Sequence, residues 1–327
     1  MKSRLGGLAR RATLIEQIKA TNVPFLHLEA GDAFQSKYAV GKKDVSQVNA
    51  AADLYLKVFK MMDIKAYNVG DRDLALGIKS LKRLARKASF PFISANILDT
   101  NQKPIFEPSV LLTVGGYKVA VIGAVTTVFV NRRQMLDEQN LVVMPPAELV
   151  AQQVKRRKAE GAQLFILLGH LNDTEHRKVA EKSPELHFIL GGQEMRYSHG
   201  LKPYGDTLVA EAFMRGKNLS ILSLEIINKQ LKFIDRNHKS GLVKRVASLE
   251  NQIKSRTTYI ENAKKDPKKT RSLDYFERNP DSEESGSKLI AVAIHGGSFI
   301  FGDSSNMETA CESYVNLYCC LSILSDN

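Results

Sequence analysis

Four apolar runs in this chain each stop at a glycine followed by a polar or charged residue. They are Phe25-Leu26-His27-Leu28 before Gly31-Asp32, Ala66-Tyr67-Asn68-Val69 before Gly70-Asp71-Arg72-Asp73, residues 164–168 before Gly169-His170, and Phe188-Ile189-Leu190 before Gly191-Gly192-Gln193. Runs this short and this apolar read as strands with both faces buried, the kind found in parallel sheets covered by helices. The glycine lets the chain turn sharply, so the next side chain stands at the strand's carboxyl end, where open α/β sheets place their chemistry. Asp32 in that position is a candidate ligand for a hard metal ion, and Asp71 repeats the arrangement. Taken singly, each residue also has a plainer reading: Asp32 and Asp71 as turn residues, His170 as a satisfied strand end, Gln193 as solvated loop.

Between these strands the periodicity predicts helices. Residues 9–21 place Leu14, Ile15 and Ile18 on one face, and residues 45–63, 74–87 and 174–182 follow the same pattern. Pro145-Pro146 opens another helix that runs to residue 160, with proline in the first turn where its missing N–H is harmless. Residues 92–97 read as a strand, and two β-rich runs flanking Gly115-Gly116 read as a hairpin. Residues 207–213, 219–227 and 231–234 read as strands, the last two joined by a hairpin at Asn228-Lys229-Gln230.

With 327 residues, 43% of them hydrophobic, the chain can bury one large core or two ordinary ones. Its net charge of +12 comes in short basic runs, most of them on the polar sides of the predicted helices and without interleaved aromatics or a nucleic-acid motif, so nucleic acid is not an expected partner. The three cysteines all fall within residues 311–327, which leaves the body without disulfide or thiolate chemistry. No run is long enough to span a membrane, and no apolar segment of the signal-peptide kind follows Lys2 and Arg4. Leu242, Val246, Leu249, Ile253, Ile260 and Ala263 repeat at spacings of four and three, interrupted by Arg256. They predict a coiled-coil-like helical arm, residues 239–279, suited to self-association or docking. After Pro280 the only Lys or Arg is Lys288, whereas seven residues are acidic. Residues 280–327 therefore read as a tail without assigned structure, adding little to the body's stability.

The order of motifs over residues 6–233 resembles the calcineurin-like metallophosphoesterase superfamily, and within it the 5′-nucleotidase branch. Gly6-Gly7-Leu8-Ala9-Arg10 is similar to that branch's Gly-Gly-x-Ala-Arg helix, and Gly31-Asp32-Ala33-Phe34 to its Gly-Asp-x-Phe. Gly70-Asp71-Arg72-Asp73 stands where Gly-Asn-His-Glu is usual, and Ile93-Ser94-Ala95-Asn96 is typical. Gly169-His170-Leu171 resembles the segment with the isolated histidine ligand, and Gly191-Gly192-Gln193-Glu194-Met195 occupies the place of Gly-Gly-His-x-His.

The resemblance implies an α/β fold, a two-sheet α/β/β/α sandwich over residues 1–238, followed by the helical arm. It implies that Asp32 is the carboxylate bridging two metal ions, and that Asp71 replaces an asparagine ligand by another oxygen donor. His170 becomes a ligand of the second ion, and Gln193 a weak one through its amide oxygen. Arg72 stands in the place of a catalytic histidine, as a substrate-binding group for phosphate. Met195 is a poor ligand for hard ions, and the family's opening Asp-x-His is absent, as in a truncated or diverged start. What remains suits one divalent ion, manganese, iron or magnesium, with zinc as the alternative. The implied function is metal-dependent hydrolysis of phosphate esters, nucleotides included, at impaired rate and on a small phosphorylated substrate. The alternatives are a non-catalytic phosphate- or nucleotide-binding protein on the same fold, or a scaffold acting through the arm. Family members are commonly exported.

Overall fold

The structure, a computed structural model, describes residues 6–35, 37–41, 43–128, 133–192, 201–212, 219–226, 231–235, 298–302 and 319–325, with Lys254 and Thr258. The chain divides into two units, Met1–Asp235 with Val292–Asn327, and Arg236–Ala291. In the second unit the Thr258 hydroxyl donates to the Lys254 carbonyl at 2.9 Å. The heptad reading of the arm, and self-association through it, otherwise lie outside the described residues. No helix among the described residues is long and apolar enough to cross a membrane.

In chain order the first unit comprises α1 (Leu8–Ala20), β1 (His27–Glu29), α2 (Val45–Met61), β2 (Ile64–Asn68), a 3₁₀ turn (Asp73–Leu76), α3 (Ile78–Lys87), β3 (Phe92–Ile93), β4 (Ile97–Asp99), β5 (Ser109–Val114) and β6 (Tyr117–Val125). It continues with α4 (Arg133–Glu138), β7 (Leu141–Val143), α5 (Pro146–Ala159), β8 (Leu164–His170), α6 (Asp173–Lys182), β9 (Phe188–Gly191), β10 (Lys202–Tyr204), β11 (Thr207–Glu211), β12 (Ser220–Glu225), β13 (Phe233–Asp235), β14 (Ser298–Gly302) and β15 (Cys319–Ser325).

The strands form a seven-stranded sheet ordered β13-β15-β12-β14-β1-β2-β3, a six-stranded sheet ordered β10-β11-β9-β8-β6-β5, and the small pair β4-β7. The alternation of side chains along each strand explains how the two large sheets stack. On β6 Val119 and Val121 face inward, and on β8 Leu164, Ile166 and Leu168 do; they meet Leu28, Ala66, Leu222 and Leu224 of the opposing sheet in one core. The intervening residues Ala120, Ile122, Phe165 and Leu167 turn outward and pack with Val150, Val154 and Val179 of α5 and α6. On the other outer face Tyr67, Val69 and Phe92 pack with Leu14, Ile15 and Ile18 of α1, Leu56 and Phe59 of α2, and Leu81 and Leu84 of α3. The result is the expected α/β/β/α sandwich.

Local differences from the sequence reading have identifiable causes. The helix expected over residues 74–87 breaks at Gly77, whose φ of 82° ends the 3₁₀ turn before α3 begins. The strand expected over residues 92–97 splits into β3 and β4, because the Asn96 side chain ties this segment to β6 and β7. Its Nδ2 donates to the Val125 carbonyl at 2.7 Å and the Met144 carbonyl at 2.8 Å, and its Oδ1 accepts from the Val125 N–H at 2.9 Å. The Gly115-Gly116 hairpin forms as expected, both glycines having positive φ, 54° and 83°, as a two-residue turn requires. The hairpin expected between residues 219–227 and 231–234 does not form. Instead β15 lies between β12 and β13, pairing Ile221 with Cys320 and Ile234 with Leu324. The tail, read as a segment apart, contributes β14 as well, which pairs Phe299 with Leu28 and Ile300 with Ile221. Both tail strands are apolar β-rich runs, suited to interior positions with a neighbouring strand on each side.

His27 and His187, outside every ligand motif, are structural. Arg11 donates to His27 Nε2 at 2.9 Å, and His27 Nδ1 donates to the Met62 carbonyl at 2.9 Å. His187 stacks on Phe165 at 6.0 Å and accepts the Phe165 N–H on Nδ1 at 3.1 Å, and burial pushes its pKa down to about 4. Between the ordinary histidine pKa of about 6.5 and that value, the unfolded chain binds a proton that the folded ring refuses, so stability is lost as pH falls. His187→Asn, whose amide oxygen can take the same N–H, is expected to remove about 2 kcal/mol of this acid sensitivity. Thermal unfolding at about pH 7 and 4.5 reads it as a smaller fall in Tm. Equal falls in both proteins would contradict the assignment.

Candidate metal centre

The loops after β1 and β2 are pressed together by their glycines. Gly31 has φ of 114°, and a Cβ there would lie 2.8 Å from the Gly70 backbone nitrogen, so a side chain does not fit. The contact carries Asp32, itself left-handed with φ of 58°, to the carboxyl end of the sheet beside Asp71. One carboxylate staples the two loops: Asp73 Oδ2 accepts from the Asp32 N–H at 3.0 Å, the Gly70 N–H at 2.9 Å and the Tyr67 hydroxyl at 2.6 Å. Burial, and after it the charge of Asp32, raise the Asp73 pKa to about 7. Behind the staple, Phe34 packs on Tyr67 with ring centroids 4.7 Å apart, which explains the aromatic residue two positions after Asp32. Asn68 joins the two sheets at this end, its Nδ2 donating to the Ala30 carbonyl at 3.2 Å and the Ala124 carbonyl at 3.0 Å.

From the other sheet β8 ends at His170, which is fully buried. Its Nε2 lies 3.1 Å from Asp32 Oδ2 and 3.2 Å from Asp71 Oδ1. The ligand atoms of these three residues all fall within 4.8 Å of one another, and they form the one cluster of its kind among the described residues. Burial opposes a charged imidazole here, but the Asp32 charge and the contacts to both carboxylates outweigh it and raise the His170 pKa to about 10. His170 must give up that proton before Nε2 can coordinate, so metal affinity falls as pH drops.

The donor set fits a hard divalent ion: two carboxylate oxygens and one imidazole nitrogen, converging and buried. Asp32 Oδ2 and His170 Nε2, although 3.1 Å apart, have no well-aligned hydrogen-bond partner among the described residues. A buried polar atom without a partner is costly, and a cation at their common focus would remove the cost.

Arg72 reaches the same carboxylate. Its backbone N–H donates to Asp32 Oδ1 at 2.8 Å, and its side-chain Nε lies 3.8 Å from Asp32 Oδ2. Thus the structure brings together Asp32, Asp71, His170 and Arg72, which the sequence reading named. Gln193 and Met195 lie outside the described residues. That reading missed the Asp73 staple, although its Gly-Asp-Arg-Asp motif contained it, and missed Tyr38, whose hydroxyl accepts from Arg72 Nη2 at 3.0 Å.

A two-sheet α/β sandwich with carboxylates and a histidine at its strand ends has the calcineurin-like metallophosphoesterase fold. Two solved structures bear this out: a 5′-nucleotidase precursor from Thermus thermophilus, TM-score 0.51 and 25% identity over 64% of this chain and 43% of that one, and the calcineurin-like phosphoesterase YfkN from Bacillus subtilis, TM-score 0.50 and 22% identity over 64% and 74%. A snake venom 5′-nucleotidase from Naja atra is 25% identical over 249 residues, 70% of this chain and 44% of that protein. No family model matches the chain. In fold and in sequence the chain resembles the 5′-nucleotidase branch of the superfamily. The chain spans between 32% and 44% of the length of the first curated relatives it matches.

Proposed function

We propose that this domain binds phosphate monoesters of the nucleoside 5′-phosphate class and hydrolyses them slowly with the help of one divalent ion. The convergence of Asp32, Asp71 and His170 carries this reading. A divalent ion held by those three residues would supply Lewis-acid polarisation of a phosphoryl oxygen. Asp32 is fixed for that task by the Arg72 N–H, and Asp71 by the glycine contact that sets both loops. The Arg72 guanidinium offers a charge-assisted contact to phosphate oxygens, which favours holding the ester. The names of the relatives support the nucleotide class, and the venom protein among them supports an exported location.

The second reading, a non-catalytic binding protein, is favoured by one observation: the guanidinium sits against Asp32, where it strengthens phosphate binding more than turnover. Phosphate release from p-nitrophenyl phosphate and from nucleoside 5′-monophosphates, with Mn²⁺ present, separates the two. Hydrolysis is expected, lowered at least about 100-fold by His170→Gln and by a chelator. Binding of Mn²⁺ and phosphate without release would favour the second reading, and binding of neither would overturn both.

A further inference from the structure

We propose that the Arg72 guanidinium serves at this centre as a built-in second cation, sharing the Asp32 carboxylate with a single divalent ion so that a phosphoryl group spans the two. The inference rests on the one-ion reading above and adds what occupies the other side of Asp32.

A carboxylate that bridges two cations needs an oxygen lone pair facing each. Asp32 Oδ1 is already committed to the Arg72 backbone N–H at 2.8 Å. Its Oδ2 faces His170 Nε2 at 3.1 Å and Arg72 Nε at 3.8 Å. A guanidinium therefore takes up one approach to this oxygen, and the other is the focus shared with Asp71 and His170.

The guanidinium is also held in place. Its side chain is 8% exposed. Nη2 donates to the Tyr38 hydroxyl at 3.0 Å, and the guanidinium carbon lies 4.7 Å from the centre of the Tyr38 ring, within cation–π range. Tyr38 is a positioning residue in this arrangement, 45% exposed at the outer edge of the pair. Arg72 Nε, 3.8 Å from Asp32 Oδ2, makes no hydrogen bond among the described residues, so the carboxylate does not saturate the guanidinium's donors. Arginine keeps its charge at any working pH and presents donors in a fork that matches phosphate oxygens. The ligand class that fits is a tetrahedral dianion, with one oxygen toward the ion and another toward the guanidinium. Because two cations repel, the same guanidinium weakens the hold on the ion, and this gives the proposal an unusual signature.

Calorimetric titration of the full chain, first with Mn²⁺ and then with inorganic phosphate on the Mn²⁺-loaded protein, tests it. The wild type is expected to take one Mn²⁺. Arg72→Gln should bind Mn²⁺ at least about threefold more tightly because the repulsion is gone, and phosphate at least about tenfold more weakly. Arg72→Lys keeps the charge without the fork, so Mn²⁺ affinity should stay near the wild-type value while phosphate binding falls partway. Tyr38→Phe, which leaves the centre itself intact, should weaken phosphate binding alone. Weaker or unchanged Mn²⁺ binding in Arg72→Gln would overturn the proposal, since a mere prop for Asp32 gives that result, as would unchanged phosphate affinity. Failure of the wild type to bind Mn²⁺ would instead overturn the one-ion reading, and the proposal with it.

Discussion

Replacing Asp73 by alanine is expected to lower stability by about 4 kcal/mol, because one buried oxygen accepts from two backbone N–H groups and a tyrosine hydroxyl that have no water to turn to. In a unit of this size that corresponds to a fall in Tm on the order of 10 °C. Asp73→Asn keeps an accepting oxygen and removes the charge that Asp32 opposes, so its cost should be well under half as large. Thermal unfolding of both variants checks the ranking. Equal effects would mean that the staple acts through its charge rather than through its hydrogen bonds.

The Asp73 staple also shows where reading the sequence stops short. The turn after β2 was visible as a glycine followed by acidic residues, yet nothing in Gly70-Asp71-Arg72-Asp73 tells which carboxylate meets Asp32 and His170 and which faces the backbone. That choice depends on the contact of two loops forty residues apart, set by Gly31 and Gly70. Strand ends were legible because a glycine interrupts each apolar run, and so were the sandwich and the three residues, Asp32, Asp71 and His170, that converge at its strand ends. Asn96 was legible as a motif but not as a strand breaker, because its partners Val125 and Met144 come from distant segments. Tyr38 carried no local signal at all: a tyrosine in a loop has a role here only because Arg72 lies beside it. The pairing of the tail strands was hidden for a related reason, since composition reports charge balance while strand pairing depends on which distant strands flank the position.

The second large effect belongs to the metal. Asp32→Asn should lower Mn²⁺ affinity at least about 100-fold, because a neutral amide replaces the carboxylate that both His170 and Arg72 approach. The fold should survive. Asparagine tolerates the left-handed backbone of residue 32, and its Oδ1 can still accept the Arg72 N–H. The expected change in Tm is therefore less than about 3 °C, measured beside a calorimetric Mn²⁺ titration. Wild-type affinity in this variant would show that the ion is held elsewhere.

The central claim is that Asp32, Asp71 and His170 hold one divalent ion between the ends of β1, β2 and β8. Pulsed electron paramagnetic resonance of the Mn²⁺-loaded protein tests it most directly, because a coordinated imidazole leaves a nitrogen coupling on the manganese signal. The wild type should show that coupling from one histidine, and His170→Gln should lose it. Manganese bound without nitrogen coupling, or a coupling that persists in His170→Gln, would contradict the account.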